Sequence, residues 1–229
     1  LGQNNATATV YVKFRDLALN ESACVNDTII HDNTFPTVSS VTTTTATGSY
    51  TTGAAINATV NFSENVTVVG VPAITLNTTP ARSATYVSGS GTTALVFTYT
   101  VIAADADAQV DYTATTALSA GTSMQDAALN DANRTLPALT TSGLYTTNIV
   151  IDTTAPTGNS VSIAAAATYT NVAAPALTLA STGASDMYIT NTAGCASGGV
   201  WEAYNTAKAS WTLGQNNATA TVYVKFRDL

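Results

Sequence analysis

The chain begins and ends with the same seventeen residues, LGQNNATATVYVKFRDL, at 1–17 and again at 213–229. A chance match of this length is not credible, so the copies indicate either a tandem repeat or two segments that act together. Because the copies start at Leu1 and Leu213, the repeat has a period of 212 residues. The fold of the chain must therefore accommodate the same segment at both ends.

Alternating apolar and polar residues predict β-strands in the repeated segment and elsewhere. In 6–15 the apolar residues occupy every second position, and the segments 56–63 and 95–101 follow the same pattern. A period of two is typical of antiparallel strands that bury one face. Glycine-containing turns separate these runs, so several short strands in a sandwich are expected.

Composition also favours an all-β fold. Only 9% of the residues are charged, 45% are hydrophobic and about a fifth are threonine. Threonine and valine are β-branched and pack well on a pleated strand, and no long segment shows a helical period. The apolar content is high enough for a core, which argues against a disordered chain. We therefore predict antiparallel β-sandwich domains.

Charge and residue usage exclude several functions. A net charge of −7 with seven scattered basic residues cannot form a phosphate-binding patch, so no nucleic-acid partner is expected. No run approaches the ~18 apolar residues of a membrane span. His31 is the sole histidine and no cysteine–histidine cluster exists, so neither a catalytic relay nor a zinc site is expected. The sequence predicts a protein that is not an enzyme.

Two similar linkers predict the domain boundaries. HDNTFPT at 31–37 and IDTTAPT at 151–157 each follow an apolar strand end and contain a proline, which suits a strand edge or start. We expect the final strands of a second-type domain in 1–32, a complete domain in 33–152 and the first strands of a second-type domain in 153–229. The equivalent of 18–32 from the next unit would complete that last domain.

Several motifs resemble the bacterial Ig-like repeats of large extracellular surface and adhesin proteins. They are FSENVTVVGVPAITL, QDAALNDANRTLP, IVIDTTAPT and VYVKFRDLALNES. The resemblance implies tandem immunoglobulin-like antiparallel β-sandwich domains, display on the cell surface and calcium at the domain junctions. One departure is that Leu19 and Leu129 stand where the Asp-x-x-Gly-Asn loop of such repeats has glycine.

Acidic residues offer the oxygen ligands that Ca²⁺ requires. The residues in question follow strands or lie in loops of the complete domain, and loops at one end of a sandwich converge. The alternative is that they are solvated turn residues, since aspartate favours turns. The candidate calcium ligands are Glu64, Asp105, Asp107, Asp126, Asp131 and Asp152, with Asp16, Asp32 and Asp228 as weaker candidates.

The two cysteines, Cys24 and Cys195, predict a disulfide between adjacent units. One period further along a continuing array, Cys24 falls in the last strand of the domain that holds Cys195, and such a bond fits an oxidising compartment. The alternative is two unpaired thiols. Asn57 and Asn61 lie in N-x-T/S sequons on a predicted outward face and are candidate glycosylation sites.

The sequence therefore predicts a structural repeat unit of an extracellular fibre, stalk or adhesin spacer, with copies of itself joined head to tail as partners. Two alternatives stay open. The unit could be a separate subunit that polymerises by β-strand complementation, in which case Val25, Thr28, Ile29 and Ile30 would form the donated strand. It could instead be an adhesin head that binds a glycan or another host or cell-surface ligand.

Overall fold

A computed structural model describes residues 6–228, and their regular structure is almost entirely β, which confirms the all-β prediction. The chain divides into two compact units, Leu1–Thr153 and Thr154–Leu229. The boundary predicted after Asp152 falls one residue before this division. The boundary predicted after Asp32 falls inside the first unit.

An antiparallel hairpin opens the first unit. It consists of β1 (Ala6–Val12) and β2 (Val25–His31), which form a two-stranded sheet of their own. The register runs from Ala6 opposite His31 to Val12 opposite Val25. The turn between the strands is held by Asp16, whose carboxylate accepts hydrogen bonds from the backbone of Ala18 and Asn20.

The rest of the first unit forms two sheets. Their strands are β3 (Val38–Thr42), β4 (Gly48–Tyr50), β5 (Ala55–Val69), β6 (Ala73–Thr75), β7 (Ser83–Ser88), β8 (Thr92–Thr100), β9 (Ala106–Asp107), β10 (Ser123–Gln125) and β11 (Ile149–Asp152). One sheet has the strand order β10-β5-β8-β7-β6, with β3 also paired to β5, and the other has the order β4-β11-β9. A four-residue helix, α1 (Gly143–Thr146), is capped by Ser142, whose hydroxyl accepts a hydrogen bond from the backbone amide of Tyr145.

The core of the first unit follows the predicted alternation. Every second residue of β5 from Ile56 to Phe62 is buried, and so is every second residue of β8 from Leu95 to Tyr99. The two strands pair directly, with Ala58 opposite Phe97. Because opposite residues of an antiparallel pair share a face, both strands present their apolar side chains to the same core.

The second unit also has two sheets. Their strands are β12 (Thr157–Ile163), β13 (Leu177–Thr182), β14 (Asp186–Thr190), β15 (Trp201–Ala203), β16 (Ala207–Lys208) and β17 (Tyr223–Arg227). The strand orders are β12-β13-β16 and β15-β14-β17. Short 3₁₀ segments occur at Ala164–Ala166 and Ala193–Cys195. A small core contains Leu177, Leu179, Met187, Ile189 and Val222.

Candidate functional site

The N-terminal copy of the repeated segment exposes its apolar face. Val10 is 59% exposed and Phe14 is 64% exposed, although both occupy the positions that the alternation predicts to be buried. On the partner strand β2, Ile29 and Ile30 are exposed as well. Ile29 pairs with Ala8 and therefore shares the face of Val10, whereas Ile30 lies on the opposite face. The hairpin thus exposes apolar side chains on both of its faces.

The C-terminal copy of the same segment buries that face. Val222, the counterpart of Val10, is only 7% exposed, and the counterparts of Val12 and Phe14 pack against the second core as Val224 and Phe226. The backbone of β17 is held by antiparallel pairing with β14. One amino-acid sequence thus lies on a solvated hairpin in the first unit and packs into the core of the second unit.

The backbone of the two copies differs in the same way. Residues 6–10 belong to β1 and pair with β2, whereas their counterparts 218–222 form no strand. Since the amino acids are identical, the difference must come from the surroundings, and the partner strand β2 is the element that the N-terminal copy has in addition. A strand that paired with the C-terminal copy as β2 pairs with the N-terminal copy would therefore be expected to bring 218–222 into a β-strand.

One edge of the second unit is open to such a strand. Among residues 6–228, β17 pairs with β14 on one side and with no strand on the other. A groove of about 1190 Å³ runs beside the segment that leads into β17, and it is lined by parts of 163–173 and 212–220. We call the outer side of β17 together with 218–222 the β17 edge.

The strand β2 also has a buried counterpart within the chain. The sequences IIHDNTFP and IVIDTTAP place Ile29 and Ile149 at the same point before a similar linker. Ile149 belongs to β11 and is fully buried in the first core, whereas Ile29 is 63% exposed. Similar sequences before the two linkers thus lie in a buried strand in β11 and in an exposed strand in β2.

Three carboxylates meet where the hairpin joins the first sandwich. Oxygens of Asp32, Glu64 and Asp126 all lie within 4.8 Å of one another, with Asp126 buried and the other two half-buried. Burial raises the pKa of Glu64, and the negative charges of Asp32 and Asp126 raise it further. The cluster therefore carries an electrostatic cost at neutral pH that a bound cation or a proton would relieve.

The loop that presents Asp126 is built like the hairpin turn at Asp16. In both loops the aspartate carboxylate accepts hydrogen bonds from the backbone two and four residues later and from an asparagine side chain. Leu19 and Leu129 occupy matching positions and both adopt a positive φ, of 71° and 68°. The asparagine of the second loop, Asn130, also donates to the backbone oxygens of Asp32 and Thr34, which fixes Asp32 beside the loop.

The structure places the other calcium candidates apart from this cluster. Asp105 is fully buried, forms an ion pair with Arg82 and accepts a hydrogen bond from the Tyr99 hydroxyl. Asp107 and Asp152 lie on the paired strands β9 and β11. Asp131 is exposed and accepts a hydrogen bond from the side-chain amide of Gln125.

Two of the six principal candidates, Glu64 and Asp126, are thus brought together, and Asp32 joins them from the weaker set. Asp32 comes from the linker HDNTFPT, and the matching position in IDTTAPT is Asp152. That match is the sequence signal that could have made Asp32 a principal candidate for calcium binding. Calcium binding stays a prediction, and these three residues are where it is best tested.

We expect Glu64→Gln to raise the melting temperature of the first unit at pH 7 without divalent cations, because the change removes repulsion within the cluster. A carboxyl group whose pKa is raised by folding stabilises the fold below its unfolded pKa, and that stability is lost as the pH rises through the folded pKa. If calcium binds, CaCl₂ should raise the melting temperature of the parent chain and have little effect on Glu64→Gln.

Asp131→Asn is the control, because it removes one negative charge from an exposed position of the same unit. Circular dichroism melting with and without CaCl₂ makes the measurement. An equal rise for Asp131→Asn would assign the effect to net charge. A parent chain that does not respond to CaCl₂ would contradict the calcium prediction.

The structure shows the exposure of the two cysteines and the hydrogen bonds of the two predicted glycosylation residues. Cys24 is exposed, Cys195 is buried, and neither forms a disulfide within the chain. The predicted bond joins two units, so it stays a prediction. Asn57 and Asn61 are half-buried and hydrogen-bonded: Asn57 accepts from the Thr98 hydroxyl, and Asn61 donates to hydroxyls on β3.

No protein-family model, curated protein or solved structure matches the chain. Within residues 6–228, no helix has the length and apolar content that crossing a bilayer requires. The features of the molecule that bear on its function are therefore the two copies of the repeated segment and the surfaces that they form.

Proposed function

We propose that the chain is a structural repeat unit of an extracellular fibre, stalk or adhesin spacer, in which immunoglobulin-like β-sandwich modules follow one another head to tail. The observation that carries the proposal is the contrast between Val10 and Val222. Identical segments are exposed in one unit and buried in the other, as expected if the hairpin and the second unit are two parts of the same kind of module.

The mechanism of such an array is mechanical. Each module buries its own core, and the short linkers at 31–37 and 151–157 limit the length of free chain between modules. The stability of an array is approximately the sum of its modules and their nearest-neighbour junctions. The charge of −7 per chain keeps neighbouring arrays apart, and an extracellular site agrees with the predicted disulfide.

Strand exchange between separate subunits is the second candidate, and the exposed apolar residues of β2 favour it. The same edge would be completed, but by a strand from another polypeptide. The presence of β1 counts against this candidate, because β1 has the sequence of β17 and already holds β2 within its own chain. We therefore favour a continuous polypeptide.

A chain of two repeats tests the proposal. Residues 1–212 are fused to a full 1–229, and small-angle X-ray scattering of the fusion is compared with that of the single chain. We expect the maximum dimension to increase in proportion to the added repeat, because modules joined by short linkers extend rather than collapse. A fusion that is compact, with a dimension close to that of a globular protein of its mass, would contradict a spacer function.

A further inference from the structure

We propose that the β17 edge binds the strand Val25–His31 of the following repeat, and that a disulfide between Cys195 and the Cys24 of that repeat then locks the strand in place. The inference rests on the proposed function, since it needs a following repeat. It goes further by assigning the incoming strand to one edge of the second unit in a defined register, and by making the predicted disulfide depend on that docking.

The register comes from the hairpin itself. In the N-terminal copy, Val12 pairs with Val25 and Ala6 pairs with His31. The same pairing one period later sets Val25 opposite Val224 and His31 opposite position 218. The docked strand therefore runs along 218–224, which includes the five residues that have no strand partner in the second unit. Its backbone groups would supply the hydrogen bonds that an open strand edge lacks.

Apolar side chains agree with this register. In the hairpin, Val25 and Ile29 pair with Val12 and Ala8, so they share the face of β1 that corresponds to the buried face of β17. Both side chains are exposed in the hairpin. On the β17 edge they would extend the small second core beside Val222 and cover part of the groove along 212–220.

Docking would carry Cys24 to the strand that the Cys195 segment contacts. Cys24 immediately precedes Val25, so it arrives beside the Val224–Lys225 part of β17. Cys195 ends a 3₁₀ segment, Ala193–Cys195, that follows β14 and contacts β17. The proposed bond therefore joins one thiol in a segment that contacts β17 to one thiol that the docked strand carries to β17.

Bond formation is an oxidation of both thiols. The two S–H bonds break and one S–S bond forms, while two electrons and two protons pass to an oxidant of the disulfide class, which becomes two thiols. Oxidised glutathione serves as that oxidant in the test. Because the strand must be docked before the sulfur atoms can meet, the yield of the disulfide reports on docking.

The experiment uses the full chain followed directly by a second copy of 18–32. Cys24 of the first copy is replaced by alanine, so the remaining thiols are Cys195 and the cysteine of the added strand. After incubation with oxidised glutathione in dilute solution, peptide mass mapping identifies the bonded cysteines. We expect a monomer with no free thiol, in which the added cysteine is joined to Cys195.

A matched control carries aspartate in place of Val25 and Ile29 in the added strand, which keeps its cysteine but removes its apolar face. We expect its disulfide yield to be at least about tenfold lower. Equal yields in the two chains would show that the thiols meet without strand docking and would overturn the proposal.

Thermal unfolding of the same chains separates the remaining outcomes. Trp201 and Trp211, the two tryptophans of the chain, both lie in the second unit, so their fluorescence follows that unit. A higher melting temperature without a disulfide would overturn the lock and leave the proposed function standing. The absence of both a disulfide and a change in melting temperature would overturn strand docking altogether. The proposed function is tested separately, by small-angle X-ray scattering of the two-repeat chain.

Discussion

Val222→Asp is expected to unfold the second unit, whereas Val10→Asp, the same change in the same local sequence, should leave the stability of the chain nearly unchanged. Val222 is part of a small core with Leu177, Leu179, Met187 and Ile189. A carboxylate placed there has no partner and costs about 3–5 kcal/mol. Val10 faces solvent, so its replacement should change stability by no more than about 0.5 kcal/mol.

Urea unfolding followed by tryptophan fluorescence makes this measurement, because both tryptophans report on the second unit. The expected result is a transition that is lost or moved to much lower urea for Val222→Asp and unchanged for Val10→Asp. Circular dichroism also follows the unfolding of the first unit, which should be the same in both variants and in the parent chain. Equal effects of the two substitutions would show that Val10 and Val222 do not differ in burial in solution, which would contradict the proposed function.

Asp105→Ala is expected to have the largest effect in the first unit. The carboxylate is fully buried, pairs with Arg82 at 2.7 Å and accepts hydrogen bonds from the Tyr99 hydroxyl at 2.5 Å and the Ile102 amide at 3.0 Å. Its removal leaves the guanidinium and the hydroxyl without their shared acceptor. The Tyr99 hydroxyl is buried and would lack a partner, which costs about 1–3 kcal/mol, whereas the Arg82 side chain is 31% exposed and can be solvated by water.

The pH dependence of the first unit should follow from the same group. Burial by itself raises the pKa of Asp105, but hydrogen bonds from Tyr99, Ile102 and Arg82 outweigh burial and hold the pKa below its ordinary value of 3.8. A carboxyl group of this kind stabilises the fold above its unfolded pKa, and that stability is lost as the pH falls through the folded pKa. We therefore expect the melting temperature of the parent chain to fall more steeply below about pH 4 than that of Asp105→Asn.

Asp107→Ala is the matched control, since Asp107 is two residues away and half-buried, and its carboxylate accepts a hydrogen bond from the Gln109 amide. Circular dichroism melting at neutral and acid pH compares the variants. A loss for Asp107→Ala as large as that for Asp105→Ala would contradict the special role of the ion pair.

The strands and core of the first sandwich could be predicted from the sequence because they follow from local alternation. Residues such as Ile56 and Phe97 lie on the predicted apolar faces, and those faces are buried. Asp105 shows where local reasoning ends. The sequence predicts Asp105 as a calcium ligand, but in the structure it pairs with Arg82. The two residues are 23 positions apart in the sequence, and no local pattern links them.

The repeated segment shows the limit most clearly. Val10 and Val222 have identical neighbours in sequence, so no local rule can assign them different burial. The difference lies in tertiary structure, because one copy pairs with β2 and the other packs on β14 and the second core. The sequence could show that the two copies are identical. It could not show which copy would hold the core.

Denaturing electrophoresis of the natural protein, with and without reductant and beside its intact mass, distinguishes a continuous array from separate subunits. For a continuous array we expect one polypeptide many times larger than the 23.3 kDa of this chain, with the same size after reduction. A ladder that collapses to a band near 23.3 kDa on reduction would contradict a continuous array and would assign the β17 edge to strand exchange between separate subunits.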